Sequence, residues 1–538
     1  MGSVAVRWQR RALVGLADTG STAAPSGRAS SAGVAKSWPF RGSDDGRAWW
    51  GVAAAVLLSI ALRIPFVGAP AYPDEGGYLL VAHDWHPGGP ALYGDYFVDR
   101  PPLLMVFWHA GDAWGGIQTA RWLACGLVAV LVVAAAWAGR LIGGNRAAVW
   151  SAFTAAALAS TPVLGAYEVD GELLAVPLVM VTCALAIAAV RSRDAVRQAF
   201  TGASLGVTGA CALLVKQNFV DALVFAVVLV AVSALQGSLP LRAALRVLGS
   251  AIAGVAVVSA LTLVWASTTR PGPSGLMYAM YGFRSDASQV IFSQSLSAPL
   301  TRLETLLEAS VRSGVLIVVI VFVACKWSSM RRFDPLSVAV TAMLAVGLAE
   351  VGLGGSYWVH YLIGLVPVLA LAAGTLSGRT LPLRRMRFIA IAFVMASAIS
   401  TSAVASGASS STQVTETALE SVLQAASHRG DTVVITYGHA NVIQASGLAP
   451  GYGYLWSLPM RTLDPQLNLL TKRLSGRTAP TWLMEWEDFD SWGIDAGGRL
   501  ASTVQTDYRR VATVCGVKVF LHVGVKRAIP ANADSCAH

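Results

Sequence analysis

Two adjacent carboxylates, Asp74 and Glu75, sit in the segment Tyr72-Pro-Asp-Glu-Gly-Gly-Tyr78, just beyond an apolar run that ends near Val67. Carboxylates beside a membrane span are costly to bury unpaired. Either one can accept a proton from an attacking hydroxyl or amine. Further along the same stretch the chain reads Tyr96-Phe-Val-Asp99-Arg100-Pro101-Pro102-Leu103, and an arginine there can hold a phosphate through two parallel hydrogen bonds. The same residues also fit an ordinary solvated interfacial loop.

Other places carry similar chemistry. Tyr167-Glu168-Val-Asp170-Gly-Glu172 brings three carboxylates to the start of an apolar run, where acids also simply favour a helix N-terminus. Lys216-Gln217-Asn218 lies between two apolar runs, either to meet a phosphate oxygen or as a lysine snorkelling from a helix end. Tyr357-Trp358-Val-His360-Tyr361-Leu precedes Pro367, and a histidine among such rings also fits an aromatic belt. Glu350, inside an apolar run, is a further candidate, since intramembrane carboxylates usually have partners. His83 and His86 lie near Asp84, a weak metal signal; no cofactor is assigned, with a divalent metal as the open alternative. Gly451-Tyr-Gly-Tyr-Leu-Trp456 offers flat rings that suit either sugar faces or plain packing.

The elements that position these residues are written in the composition. The 538 residues are 55% hydrophobic and only 13% charged, with a mean hydropathy of +0.57. Soluble chains carry roughly 25% charged residues, so much of this surface must face lipid. Apolar runs long enough to cross a bilayer are expected at 49–67, 119–139, 147–164, 173–190, 199–215, 218–236, 247–266, 313–325, 336–353, 359–377 and 388–405. The fold class expected is therefore an all-α polytopic membrane protein of about eleven spans, with a small C-terminal domain.

Three domains follow. Residues 1–48, rich in Ser, Gly, Ala and Arg, read as a disordered basic cytoplasmic tail. No signal peptide is expected before the first span, which acts as its own anchor. Residues 49–406 form the membrane domain, with long outer loops at 68–118 and 267–312. From 407 to 538 the pattern is soluble: Asp431–Tyr437 and Val517–His522 read as short strands of an α/β or α+β domain. Cys125, Cys183, Cys211 and Cys325 lie in apolar runs as small hydrophobes, whereas Cys515 and Cys536 in the tail suit a disulfide.

The net charge of +10 does not point to nucleic acid, because the cations cluster in short loops between spans. Arg140 and Arg146; Arg191, Arg193 and Arg197; Arg242 and Arg246; Lys326, Arg331 and Arg332; and Arg379, Arg384, Arg385 and Arg387 mark the inner side. The positive-inside rule then puts the N-terminus in the cytoplasm and both long loops and the C-terminal domain outside the cell membrane. High Ala, Gly, Val and Arg usage suits a bacterium with a GC-rich genome.

The order of span, Asp74-Glu75, Tyr78, then basic-Pro-Pro-Leu resembles the GT-C glycosyltransferases. More narrowly, it is similar to the bacterial branch related to protein O-mannosyltransferases and the lipid A aminoarabinose transferase. The resemblance covers about residues 50 to 400. It implies a GT-C fold and transfer of a sugar from a polyprenyl phosphate to an extracytoplasmic glycan, lipid or protein, with membrane lipids as further partners. It makes Asp74 the base, with Glu75 beside it. Arg100 takes the donor phosphate where the aminoarabinose enzymes have Lys, and Lys216 joins it. Tyr78, Asp170 or Glu172, His360 and Tyr361 are implied in support. A transporter or lipid flippase, or a non-catalytic glycan-binding scaffold, is the rival reading; matching broken helices in two halves, common in transporters, are not apparent.

Overall fold

The computed structural model describes residues 43–293, 297–377, 396–397, 400–401 and 410–530. Each expected apolar run from 49–67 to 359–377 falls on helix. The last, 388–405, lies largely outside the described residues, as do Cys536 and the tail 1–42.

The membrane part is built from α1 (Ser43–Val67), α4 (Ile117–Ser160), α5 (Gly171–Arg191), α6 (Ala195–Val215), α7 (Asp221–Leu235), α8 (Leu241–Ser267), α12 (Val315–Arg331), α13 (Pro335–Leu353) and α14 (Val366–Leu376). Seven described helical stretches are long and apolar enough to cross a bilayer, or eight if α12 is joined to the bent helix before it. The faces they turn outward are apolar: Leu245, Ile252, Leu261 and Val264 on α8 are exposed. A surface of that kind belongs in lipid, and the protein is a multi-pass membrane protein.

The two expected spans 119–139 and 147–164 share α4, which breaks at Gly143 and Gly144. Gly144 has φ +75°, open to glycine at little cost. The chain reverses there, since a Cβ on Gly139 would press on the Ala147 carbonyl and Ser151. At the centre, α5 is buried along most of its length and packs against α4, α6 and α7, while α1 and α14 cover α4.

The two long loops are folded segments rather than open coil. Residues 68–118 hold α2 (Pro73–Asp84) and α3 (Pro102–Ala113). Residues 267–312 hold α9 (Pro273–Met277), a π-helical turn Tyr278–Gly282, α10 (Phe283–Phe292) and α11 (Ser297–Arg312).

The C-terminal domain contains α15 (Ser411–Ala426), α16 (Ala440–Ser446), α17 (Ser457–Leu463), α18 (Asn468–Leu474) and α19 (Arg499–Asp507) around one sheet. Its strands are β1 (Thr432–Ile435), β2 (Ala449–Pro450), β3 (Trp482–Glu485), β4 (Tyr508–Val514) and β5 (Val517–His522). They run in the order β2-β1-β3-β5-β4, parallel across β2-β1-β3 and antiparallel across β3-β5-β4. The expected strands 431–437 and 517–522 are β1 and β5.

This domain sits on the first loop. Asn441 Nδ2 donates to the Ala71 carbonyl at 3.1 Å, Gln413 Nε2 to Tyr72 Oη at 3.2 Å, and Phe97 N to the Gly453 carbonyl at 3.0 Å. The second loop joins them, with Arg284 on α10 reaching Asp99 at 2.7 Å.

Candidate active site

Helix α2 begins at Pro73, whose fixed φ suits the first helical position, so Asp74 and Glu75 both fall in the first turn. A step of one residue turns them about 100° apart on the helix, and they meet different surroundings. Glu75 is fully buried. Its Oε1 accepts from Arg121 Nε at 3.1 Å and Val169 N at 2.9 Å, and its Oε2 from Arg121 Nη2 at 2.6 Å and Tyr72 N at 2.9 Å. Arg121, on α4, also donates to the carbonyls of Phe66, Ala69 and Pro70. Glu75 therefore locks the first loop to the bundle and has no oxygen left for a substrate.

Asp74 is half-buried and faces the C-terminal domain, where its Oδ1 accepts from Trp456 Nε1 at 2.8 Å. One turn on, Tyr78 packs between Trp456 and Trp108, with ring centroids 5.4 and 5.7 Å away. Arg100 Nε donates to Tyr78 Oη at 2.7 Å, and Arg100 Nη1 meets Asp99 Oδ1 at 2.6 Å. Pro101 and Pro102 bring the chain extended into α3, and Tyr93 Oη holds the Arg100 carbonyl at 2.9 Å. Burial works against the Arg100 charge, but Asp99, Tyr78 and Asp74 more than offset it and keep the guanidinium firmly protonated. Burial also pushes the Tyr78 phenol well above its ordinary range.

The turn after α4 carries the other acids. Asp170 caps α5, its Oδ1 accepting from Leu173 N at 2.7 Å. Its Oδ2 is buried with no hydrogen-bond partner among the described residues. His360 Nδ1 lies 3.3 Å from Glu168 Oε1 and 3.8 Å from Asp170 Oδ2. Burial raises the Glu168 carboxyl above the usual range. Burial, with the Glu172 charge beside it, pushes Asp170 up to about 7.

Glu168, Asp170 and His360 each offer one ligand atom within 4.8 Å of the others. Imidazole plus carboxylates is a donor set that could hold a divalent cation. The expected absence of a metal rested on His83 and His86, which instead meet Asp112 Oδ2 at 3.2 Å and the Asp84 carbonyl at 3.0 Å.

Glu172, the third acid, pairs with Lys216 at the end of α6, and the ammonium lies 4.9 Å above the Tyr361 ring. The first loop meets the acidic turn where Val169 N donates to Glu75 Oε1 and where the Tyr72 and Tyr167 ring centroids lie 4.8 Å apart. The first loop, the acidic turn, the Lys216 turn and the His360–Tyr361 segment thus meet in one cluster of charge. Glu350 has its Oε1 buried and unpartnered among the described residues.

Arg284 and Trp456 were not anticipated as site residues. Tyr281-Gly-Phe-Arg284 carries no pattern that marks it, and Trp456 was visible only as one ring of an aromatic segment.

No protein-family model and no curated protein sequence matches the chain. Solved structures do. ArnT from Cupriavidus metallidurans bound to undecaprenyl phosphate superposes with a TM-score of 0.59 over 91% of this chain and 99% of its own, at 15% identity. The chain has the GT-C fold. The Archaeoglobus fulgidus oligosaccharyltransferase complex with Zn and sulfate matches at a TM-score of 0.54 and 13% identity, over 85% of this chain and 71% of its own. The superposition on ArnT, over 91% of this chain and 99% of the other, takes in the helical bundle together with nearly all of the rest of the chain.

Proposed function

We propose that this protein is a membrane glycosyltransferase that moves a sugar from a polyprenyl phosphate to a hydroxyl (or amine) of an extracytoplasmic acceptor. The observation that carries the reading is the meeting of a half-buried carboxylate, Asp74, with fixed cations on a GT-C bundle. The likeness to a structure bound to undecaprenyl phosphate supports the donor class. In this reading Asp74 removes the proton as the acceptor oxygen attacks the anomeric carbon. The bond from that carbon to the phosphate oxygen breaks, the sugar inverts, and polyprenyl phosphate leaves.

Arg100 and Lys216 meet the charge that grows on the leaving phosphate, and Arg284 stands beside Arg100 through Asp99. Both cations are already held by carboxylates, Arg100 by Asp99 and Lys216 by Glu172. Such fixed charges stabilise a transition state without reorganising when it forms. Tyr78 orients Arg100, and Tyr361 backs Lys216. Asp170 and His360 complete the acidic side of the pocket, and with Glu168 they are the residues that would hold a cation. Membrane topology with the N-terminus inside and the C-terminal domain outside fits this assignment, because both loops and that domain share one side.

The first test is native mass spectrometry of the detergent-purified protein with a panel of undecaprenyl-phosphate hexoses and pentoses. Selective binding of one donor is expected, weakened at least tenfold in an Arg100→Ala, Lys216→Ala variant, about the size of one charged hydrogen bond. Folded protein that binds no donor overturns the reading. With the donor known, Asp74→Asn is expected to lower transfer by about 10²-fold or more; wild-type transfer would remove Asp74 as the base.

A further inference from the structure

The C-terminal domain reaches into the membrane domain at one point that the proposed chemistry uses. Trp456, at the end of the aromatic segment 451–456, donates its indole N–H to Asp74 Oδ1 at 2.8 Å. The ring is fixed on several sides: Tyr78 stacks at a tilt 5.4 Å away, and the backbone of α2 passes directly beneath. A Cβ on Gly77 would fall on the Trp456 ring, and one on Gly76 on the Asn441 backbone. Two consecutive glycines inside a helix cost roughly 1 kcal/mol each relative to alanine, and here they create the space into which α16 and Trp456 sink. The segment is tied down upstream as well, where Phe97 N donates to the Gly453 carbonyl.

We infer that Trp456 is a positioning residue for Asp74, so that the C-terminal domain completes the reaction site rather than standing above it. The inference rests on the reading of Asp74 as the base. A carboxylate can rotate about its terminal bond and offer either oxygen. With Oδ1 turned onto an N–H held in place from another domain, rotation of the carboxylate is checked, and Oδ2 is the fully open oxygen presented to the acceptor proton. The hydrogen bond carries no charge of its own, so it orients the base without neutralising it, as an arginine does to Glu75.

The test uses the full-length protein. Membranes from a strain lacking the chromosomal copy are supplied with the undecaprenyl-phosphate sugar that binds in the panel above, and release of undecaprenyl phosphate is followed for W456F, W456H, D74N and D74N/W456F. Expected for W456F is a release rate about tenfold lower, the size of one hydrogen bond to a charged group, with donor binding by native mass spectrometry unchanged. W456H, which restores an N–H, is expected to recover part of that loss. In the D74N background, W456F should remove nothing further from the residual rate. Wild-type release by W456F, with D74N inactive, overturns the inference and leaves the base assignment standing. Equal losses from W456F with and without Asp74, accompanied by weakened donor binding, also overturn it, because Trp456 is then only a packing residue. Wild-type release by D74N removes the base assignment itself.

Discussion

The loop at Tyr72–Tyr78 and the turn at Glu168–Glu172 both bring carboxylates to the same end of the bundle, and the two regions settle their charges in opposite ways. Glu75 is sealed: two arginine nitrogens and two backbone N–H groups occupy both of its oxygens. Asp170 is as deeply buried, yet its Oδ2 has no donor among the described residues and its nearest cationic candidate, His360, is 3.8 Å off. Burial alone therefore does not separate structural acids from working ones. The distinguishing property is satisfaction: a buried carboxylate with every lone pair engaged holds the fold, while one left open is held at a cost that some other role must justify.

The sharpest way to break this contrast is Arg121→Ala. It strands the Glu75 charge in the interior, and loss of one partner of a buried pair costs about 3–5 kcal/mol. Little folded protein is expected on size-exclusion chromatography in detergent. A variant that folds and melts like wild type but fails only in transfer would make Glu75 a reaction residue after all.

Asp170→Asn should act in the opposite sense. Its carboxyl is raised to about 7 from an ordinary value of 3.8, so the folded state holds the proton more tightly than the unfolded chain. Its contribution to stability is full below about pH 4 and is lost as pH rises through 7. The neutral amide escapes that penalty. The variant is therefore expected to melt a few degrees higher than wild type at pH 8, with the gap narrowing at pH 5 and closing near pH 4, while transfer falls. A variant less stable than wild type at pH 8 would show that the open carboxylate is paired in solution.

Gly77→Ala tests the seam between the regions. It should lower transfer by about tenfold, comparable to loss of one charged hydrogen bond, because the methyl displaces Trp456, with donor binding kept. The smallest effect belongs to His83→Ala. His83 is 82% exposed and pairs with Asp112 at 3.2 Å. Exposed pairs contribute little, so the melting temperature should stay within about 2 °C and transfer should not change.

Much of the membrane architecture could be read from apolar runs, because lipid imposes length and hydropathy on each span directly. The candidate site was legible where chemistry was crowded into a short segment, as at Asp74-Glu75 and Arg100-Pro-Pro. What a segment cannot reveal is which way its side chains turn. Asp74 and Glu75 are neighbours, and only Arg121 on α4, 46 positions along, decides that Glu75 is the sealed one. Glu168 was one of three acids in a row until His360 gathered it with Asp170. The helices of 267–312 were hidden for another reason: α11, with Leu300, Leu303, Leu306 and Leu307, is amphipathic but too polar to count as a span. The glycines after Glu75 had a meaning that only the docked domain reveals.

The contact between Trp456 and Asp74 joins positions 382 residues apart. At a synthesis rate of roughly 5–20 residues per second, that separation is about 20–80 s of ribosome time. Throughout that interval the glycine face of α2 has nothing to close over it, and the carboxylate of Asp74 has no indole to hold it. A chain cut short before Trp456 would carry every membrane-side residue of the site and still lack its last fixed point. Assembly order is thus built into the contact: the indole can fix Asp74 only after synthesis has passed Trp456.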